Sequence, residues 1–211
     1  MKVIINRICY SIIIIVLTVF QSGQIFGSEQ SQEKEYVSAN KSAGSFVLGE
    51  NGQVAPIVVS NNDFEGVRRV ARYFQTDVKN VTNIEPEILL DRLPDAEEVI
   101  IAGTIGHSQL VDDLISKGKI NVDNIVGKWE SSVTEVIENP YPGIKKALVI
   151  AGSDKRGTIY GIFEISKQMG VSPWYFWADV PVKKNDNLYV KKGRYVMGEP
   201  KVKYRGIFLN D

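Results

Sequence analysis

Two short stretches carry side chains whose type and spacing suit binding. Gly152-Ser-Asp-Lys-Arg-Gly157 joins an apolar strand to a helix. Backbone N–H groups at a helix start, with Lys155 and Arg156 beside them, favour an anion, and Arg can hold a carboxylate through two parallel hydrogen bonds. The same residues also make an ordinary capped helix start, with Ser153 or Asp154 as N-cap and two solvated basic side chains. The stretch is not a phosphate-binding P-loop, because the Gly-x4-Gly-Lys-Ser/Thr order is absent. Asn210 and Asp211 close an apolar run. An amide beside a carboxylate suits bidentate hydrogen bonding to hydroxyl groups, and equally a turn or a helix cap.

The other chemistry-bearing residues are less well arranged. Trp174-Tyr-Phe-Trp177 is dense in aromatics. On an extended segment Trp174 and Phe176 point opposite to Tyr175 and Trp177, so the four cannot present one surface. They suit either stacking on a flat ligand or plugging a domain interface, and Trp177 and Asp179 are the pair to test for ligand contact. His107 follows Gly106 at a predicted helix start and reads as a surface or capping residue. Asp112-Asp113 and Glu97-Glu98 are adjacent in sequence, so their side chains diverge and read as solvated faces rather than acid/base pairs. No metal-ligand spacing occurs, and the chain calls for no cofactor.

Alternating strands and helices must position these residues. The pattern predicts strands at residues 46–48, 56–60, 87–90, 98–102, 133–137 and 147–151. It predicts helices over 64–77, capped from Asn61-Asn-Asp63, over 107–116, and over 158–169. Phe64, Val67, Val70, Ala71 and Phe74 share one face of the first helix. Leu110, Leu114 and Ile115 share one face of the second. Ile159, Ile162, Phe163 and Ile165 are the buried set of the third. The fold class is α/β, a mixed sheet covered by helices, and no internal repeat is visible. After Val182 a polar stretch opens a linker or interface segment over 183–202. Tyr204-Arg-Gly-Ile-Phe-Leu-Asn-Asp211 then reads as a buried strand, the first of a second domain whose remainder is missing.

Composition narrows the classes. The chain has 211 residues, 44% of them hydrophobic, and 25 basic against 25 acidic side chains. That balance argues against disorder and against a nucleic-acid binder, which needs a basic surplus. One Cys excludes a disulfide framework and a Cys-rich zinc site. Lys2 and Arg7 precede an apolar run at 8–20, the pattern of a signal peptide over 1–27 with Gly27 before the cleavage point. The apolar run is short for a membrane span. Removing it takes away the only Cys and two basic residues, leaving 23 basic against 25 acidic. A thiol-free, mildly acidic mature chain suits export to the periplasm or the medium. Residues 28–45 are polar and read as a flexible leader.

Five ordered motifs carry a resemblance. They are Gly103-Thr-Ile-Gly106, Gly127-Lys-Trp-Glu130, Ala151-Gly-Ser-Asp-Lys-Arg-Gly-Thr-Ile-Tyr-Gly161, Gly170-Val-Ser-Pro-Trp-Tyr-Phe-Trp-Ala-Asp-Val-Pro-Val182 and Lys203-Tyr-Arg-Gly-Ile-Phe-Leu-Asn-Asp211. Together they resemble the N-terminal region of glycoside hydrolase family 115, the xylan α-1,2-glucuronidases, over residues 45–211. The resemblance implies an α/β domain at 46–182 that precedes a TIM barrel, with the barrel's first strand at 203–211. It implies an inverting hydrolase that removes glucuronic acid or its 4-O-methyl ether from xylan. Asn210 and Asp211 would line the sugar pocket, where barrel active sites form at strand ends. Lys155 and Arg156 would reach toward the uronate, and Trp177 and Asp179 toward the sugar. The family's acid and base lie farther along the barrel, so this chain does not supply them. The missing barrel would be the principal partner, and a homodimer through absent domains fits the same picture. The rival reading is a stand-alone module that binds carbohydrate or a partner without catalysis.

Overall fold

The computed structural model describes residues 35–206, and the two units of the chain divide at Lys34. The signal peptide, residues 28–34 of the leader, and Asn210 with Asp211 lie outside the described residues.

Two sheets are present. The larger is six-stranded: β4 (Ile57–Val59), β5 (Ile88–Leu90), β6 (Glu98–Thr104), β7 (Ser132–Glu138), β8 (Lys146–Gly152) and β10 (Arg194–Met197), in the order β10-β7-β8-β6-β4-β5. β5, β4, β6 and β8 run parallel, while β7 is antiparallel to both β8 and β10. The smaller sheet is antiparallel, with β1 (Val37–Ser38), β9 (Leu188–Val190), β2 (Phe46–Glu50) and β3 (Gln53–Val54) in that order. The helices are α1 (Glu65–Thr82), α2 (Gln109–Ser116), α3 (Lys155–Gln168) and the single turn α4 (Tyr175–Ala178).

The central strands are apolar on both faces because both faces are covered. Ile100, Ala102, Leu148 and Ile150 face the cluster formed with α1, α3 and the smaller sheet. Val99, Ile101, Ala147, Val149 and Ala151 face the opposite cluster, with Val111, Leu114 and Ile125. Strand alternation thus splits one apolar run between two cores. β7, expected to be half-buried, is covered on both sides for the same reason.

Several expected boundaries change. α1 runs on to Thr82 because its apolar period continues through Val78 and Val81, and it ends where Asn83 turns left-handed, φ +65. α2 starts at Gln109 rather than His107, and α3 at Lys155 rather than Thr158. The residues expected to be a flexible leader include β1, whose Val37 pairs with Val190. The expected linker supplies β9 to one sheet and β10 to the other. These short strands carry too little local pattern to announce themselves, and the partners that make them strands are 59 or more residues away. Phe163, expected in the core of α3, is 41% exposed. The face of α3 that meets the sheet is built from Gly157, Thr158, Gly161, Ile162 and Ile165 instead.

Candidate functional site

In open parallel sheets, ligand sites form at the carboxyl ends of the strands, where neighbouring connections leave in opposite directions. Here that point lies between β4 and β6: the chain leaves β4 through α1 to β5 on one side, while β6 lies on the other. The loops 60–64, 104–108 and 152–154 meet at this edge.

Asp63 sits in the crevice, 3% exposed. One carboxylate oxygen accepts from the Phe64 N–H at 2.7 Å and from Thr104 Oγ1 at 2.8 Å. The other accepts from the Thr104 N–H at 2.7 Å. Asp63 therefore joins two loops rather than capping α1, whose N-cap is Phe64. Thr104 Oγ1 continues to Thr158 Oγ1 at 2.8 Å. Thr104 gives its one hydroxyl proton to Asp63, so Thr158 Oγ1 is the donor in this pair, and the Asp154 carbonyl, 3.1 Å from Thr158 Oγ1, is the alternative acceptor for the same proton.

Asp154 is the N-cap of α3. Its Oδ1 accepts from the Gly157 N–H at 2.7 Å, and its Oδ2 from the Glu130 N–H at 2.9 Å. This close approach of β7's leading loop to α3 requires glycine: a Cβ on Gly157 would lie 2.1 Å from the Ser131 carbonyl oxygen.

Glu130 has a left-handed backbone, φ +52, and a side chain only 4% exposed. Its Oε1 accepts from Arg156 Nη1 at 2.8 Å, and its Oε2 accepts from Arg205 Nη2. The hydrogen bond from Arg156 holds the carboxyl below its ordinary range, against burial, and Arg205 adds to the effect. The Arg205 guanidinium also lies 5.7 Å from the centre of the Trp129 ring. This clamp ties three segments together: the entry to β7, the first turn of α3, and the chain leaving β10.

The residues singled out from the sequence are placed as follows. Arg156 is on the first turn of α3 but engaged with Glu130. Lys155 is exposed beside it, its Nζ 5.9 Å from the Phe64 ring centre. The Phe64 ring centre is 4.3 Å from that of His107, with the planes tilted by 44°, so His107 belongs to a surface ring pair. Trp177 is 82% exposed and Asp179 is exposed with φ +48. The aromatic run forms a helical turn, not an extended segment. Trp174 and Trp177 therefore share a side of it. Lys155 and Arg156 are together, while Trp177 and Asp179 sit on a separate turn. Asp113 pairs with Lys117 at 2.7 Å, and Glu97 with Lys145 at 2.5 Å, both exposed.

Glu98 departs from the expected solvated face. It accepts from the Val47 N–H and lies 3.6 Å from Lys146, joining the large sheet to the small one. Asp63, Glu130 and Arg205 had no site role in the sequence reading, because their partners are 41, 26 and 75 residues away. The sequence signals near them are the Asn61–Asp63 cap, the Gly127–Glu130 motif and Lys203–Asp211. Among the described residues, no group of three His, Cys, Asp or Glu is placed to hold a metal, and no helix is long and apolar enough to cross a membrane.

No family model and no curated protein matches the chain. Among solved structures it is similar to the family GH115 4-O-methyl-α-glucuronidase BtGH115A, described as having specificity for decorated arabinogalactans. The two share 32% identity with a TM-score of 0.55, over 72% of this chain and 18% of that one. The chain thus spans about a fifth of the length of the glucuronidase it matches. Its relationship is to the glycoside hydrolases of family 115.

Proposed function

We propose that the chain is the N-terminal part of an exported α-glucuronidase that hydrolyses glucuronic or 4-O-methylglucuronic acid side chains from xylan. The observation that carries this reading is the 32% identity over 72% of the chain to a glucuronidase of family 115. In an inverting reaction, one carboxylic acid protonates the leaving oxygen while a carboxylate on the opposite face activates water. Asp63, Asp154 and Glu130 are each held by protein donors. That engagement is consistent with an acid and a base supplied by the rest of the intact protein, in a barrel expected to begin within 203–211. Of that stretch, residues 203–206 are exposed and form no strand, and 207–211 lie outside the described residues.

The contribution of this part is support and some of the pocket. Asn210 and Asp211 would bind sugar hydroxyls, and Trp177 and Asp179 would flank the sugar. Lys155 is exposed and suits the uronate carboxylate. Arg156 would reach it only by sharing or leaving Glu130. The related enzyme's arabinogalactan specificity makes the polysaccharide backbone the open variable.

The test compares the intact gene product with the 211-residue chain on 4-O-methylglucuronoxylan and on decorated arabinogalactan. Release of the uronic acid is expected from the intact protein and none from the short chain. Turnover by the short chain, abolished by substituting one of its own carboxylates, would sink the reading. Binding of xylan without turnover by an intact protein of this size would favour a stand-alone binding module.

A further inference from the structure

α1 and α3 each carry a second stripe besides the one that meets the sheet. Tyr73, Thr76, Asp77 and Asn80 recur at helical spacing on α1, and Tyr160, Phe163, Glu164 and Lys167 on α3. Between the stripes lies an open groove of about 910 Å³, completed by the 171–175 segment, Met197 and Arg205. Tyr73 is 51% exposed, Phe163 41% and Tyr160 36%. Outer faces of helices on a sheet are ordinarily polar, and a contiguous aromatic groove marks an interaction surface.

Resting on the reading that the intact protein is longer than this chain, we infer that the α1–α3 groove is the seat of the polypeptide that follows Gly206. Arg205 is at once a wall of the groove and part of the Glu130 clamp. The chain therefore leaves from the groove's rim, held in position. Whatever follows is tethered there, so docking is intramolecular and loses little translational entropy. The next side chains are Ile207, Phe208 and Leu209, so the chain that leaves is apolar from its first residues. Most of the related glucuronidase's length lies outside the matched part, which supplies an occupant large enough to cover the groove. The chemistry expected of the occupant is an apolar face that packs on Tyr73, Tyr160 and Phe163. The Asp77 carboxyl, raised above its ordinary range by burial, stands at the same groove, where a neutral, water-poor contact suits it.

Hydroxyl-radical footprinting of the intact protein and the 211-residue chain tests this. Tyr73, Tyr160 and Phe163 are expected to react several-fold more slowly in the intact protein. Equal reactivity in a longer protein overturns the inference and leaves the glucuronidase reading standing. A native protein no longer than 211 residues overturns that reading, and the occupant with it. Protection of the same residues in the short chain by xylo-oligosaccharides overturns the inference in favour of a sugar groove. As a second measurement, Phe163→Glu is expected to leave the melting of the short chain unchanged. In the intact protein it is expected to split one unfolding transition into two. An equal loss of stability in the short chain would mean Phe163 serves this unit's own packing, and would overturn the inference.

Discussion

At the residue scale, two buried carboxylates decide how the carboxyl edge of the sheet is held. Asp63 satisfies three donors from two loops, one of them a side-chain hydroxyl that passes the network on to Thr158. Removing the carboxylate leaves the buried Thr104 N–H and hydroxyl short of an acceptor. Asp63→Ala is expected to destabilise the folded chain by about 2–3 kcal/mol in urea titrations. A loss within experimental error would mean that water or a shifted loop takes its place. Glu130 and Glu98 respond to pH in opposite directions. Arg156 holds the folded Glu130 carboxyl below its ordinary range, so its stabilising effect is present above the ordinary value near 4.5 and is lost as pH falls through the folded value. Burial raises Glu98 despite the Val47 N–H and Lys146, so the folded state binds the extra proton. Stability from that group falls as pH rises from 4.5 through the raised value. Stability measured at stepped pH should therefore lose its acid-side drop in Glu130→Gln and its rise toward acid in Glu98→Gln. Unchanged slopes would remove these groups from the titration.

At the element scale, close contacts made possible by glycine set how helix and strand meet. Gly157 lets the first turn of α3 lie against the Ser131 carbonyl, which brings Asp154 to the Glu130 N–H and Arg156 to the Glu130 carboxylate. Gly157→Ala forces backbone against backbone and is expected to cost about 1–3 kcal/mol. Gly198→Ala, with nothing within 4 Å, is expected to change stability by less than about 0.5 kcal/mol. Thermal melting of the two variants separates contact from a general glycine effect. The major strands and three helices were legible from the sequence because each carries its own period of two or 3.6. β1, β9 and β10 were not: each has two to four residues, and its pairing is long-range. The outward face of Phe163 was hidden for a related reason. The period shows which residues share a face, not which of two apolar stripes meets the sheet.

At the scale of the whole molecule, the described unit has two cores and a bonded carboxyl edge, but it also exposes Trp174, Trp177, Val202 and Tyr204. That exposure agrees with a role inside a larger assembly. The export reading is tested independently of it. Mass spectrometry of the protein recovered from its host is expected to show an N-terminus at Ser28, and an N-terminus at Met1 would count against cleavage.

By itself the sequence determined the α/β class, the main apolar strands and the family resemblance, and narrowed the cap of α3 to Ser153 or Asp154. These properties depend on neighbours within a turn or a strand, or on motifs read in order. Tertiary structure alone decided that Glu130 holds Arg156 and Arg205, that Asp63 fills the crevice between β4 and β6, and that a second aromatic stripe on α1 and α3 faces outward. Each of these is a contact between residues brought together by folding, and no local spacing encodes it.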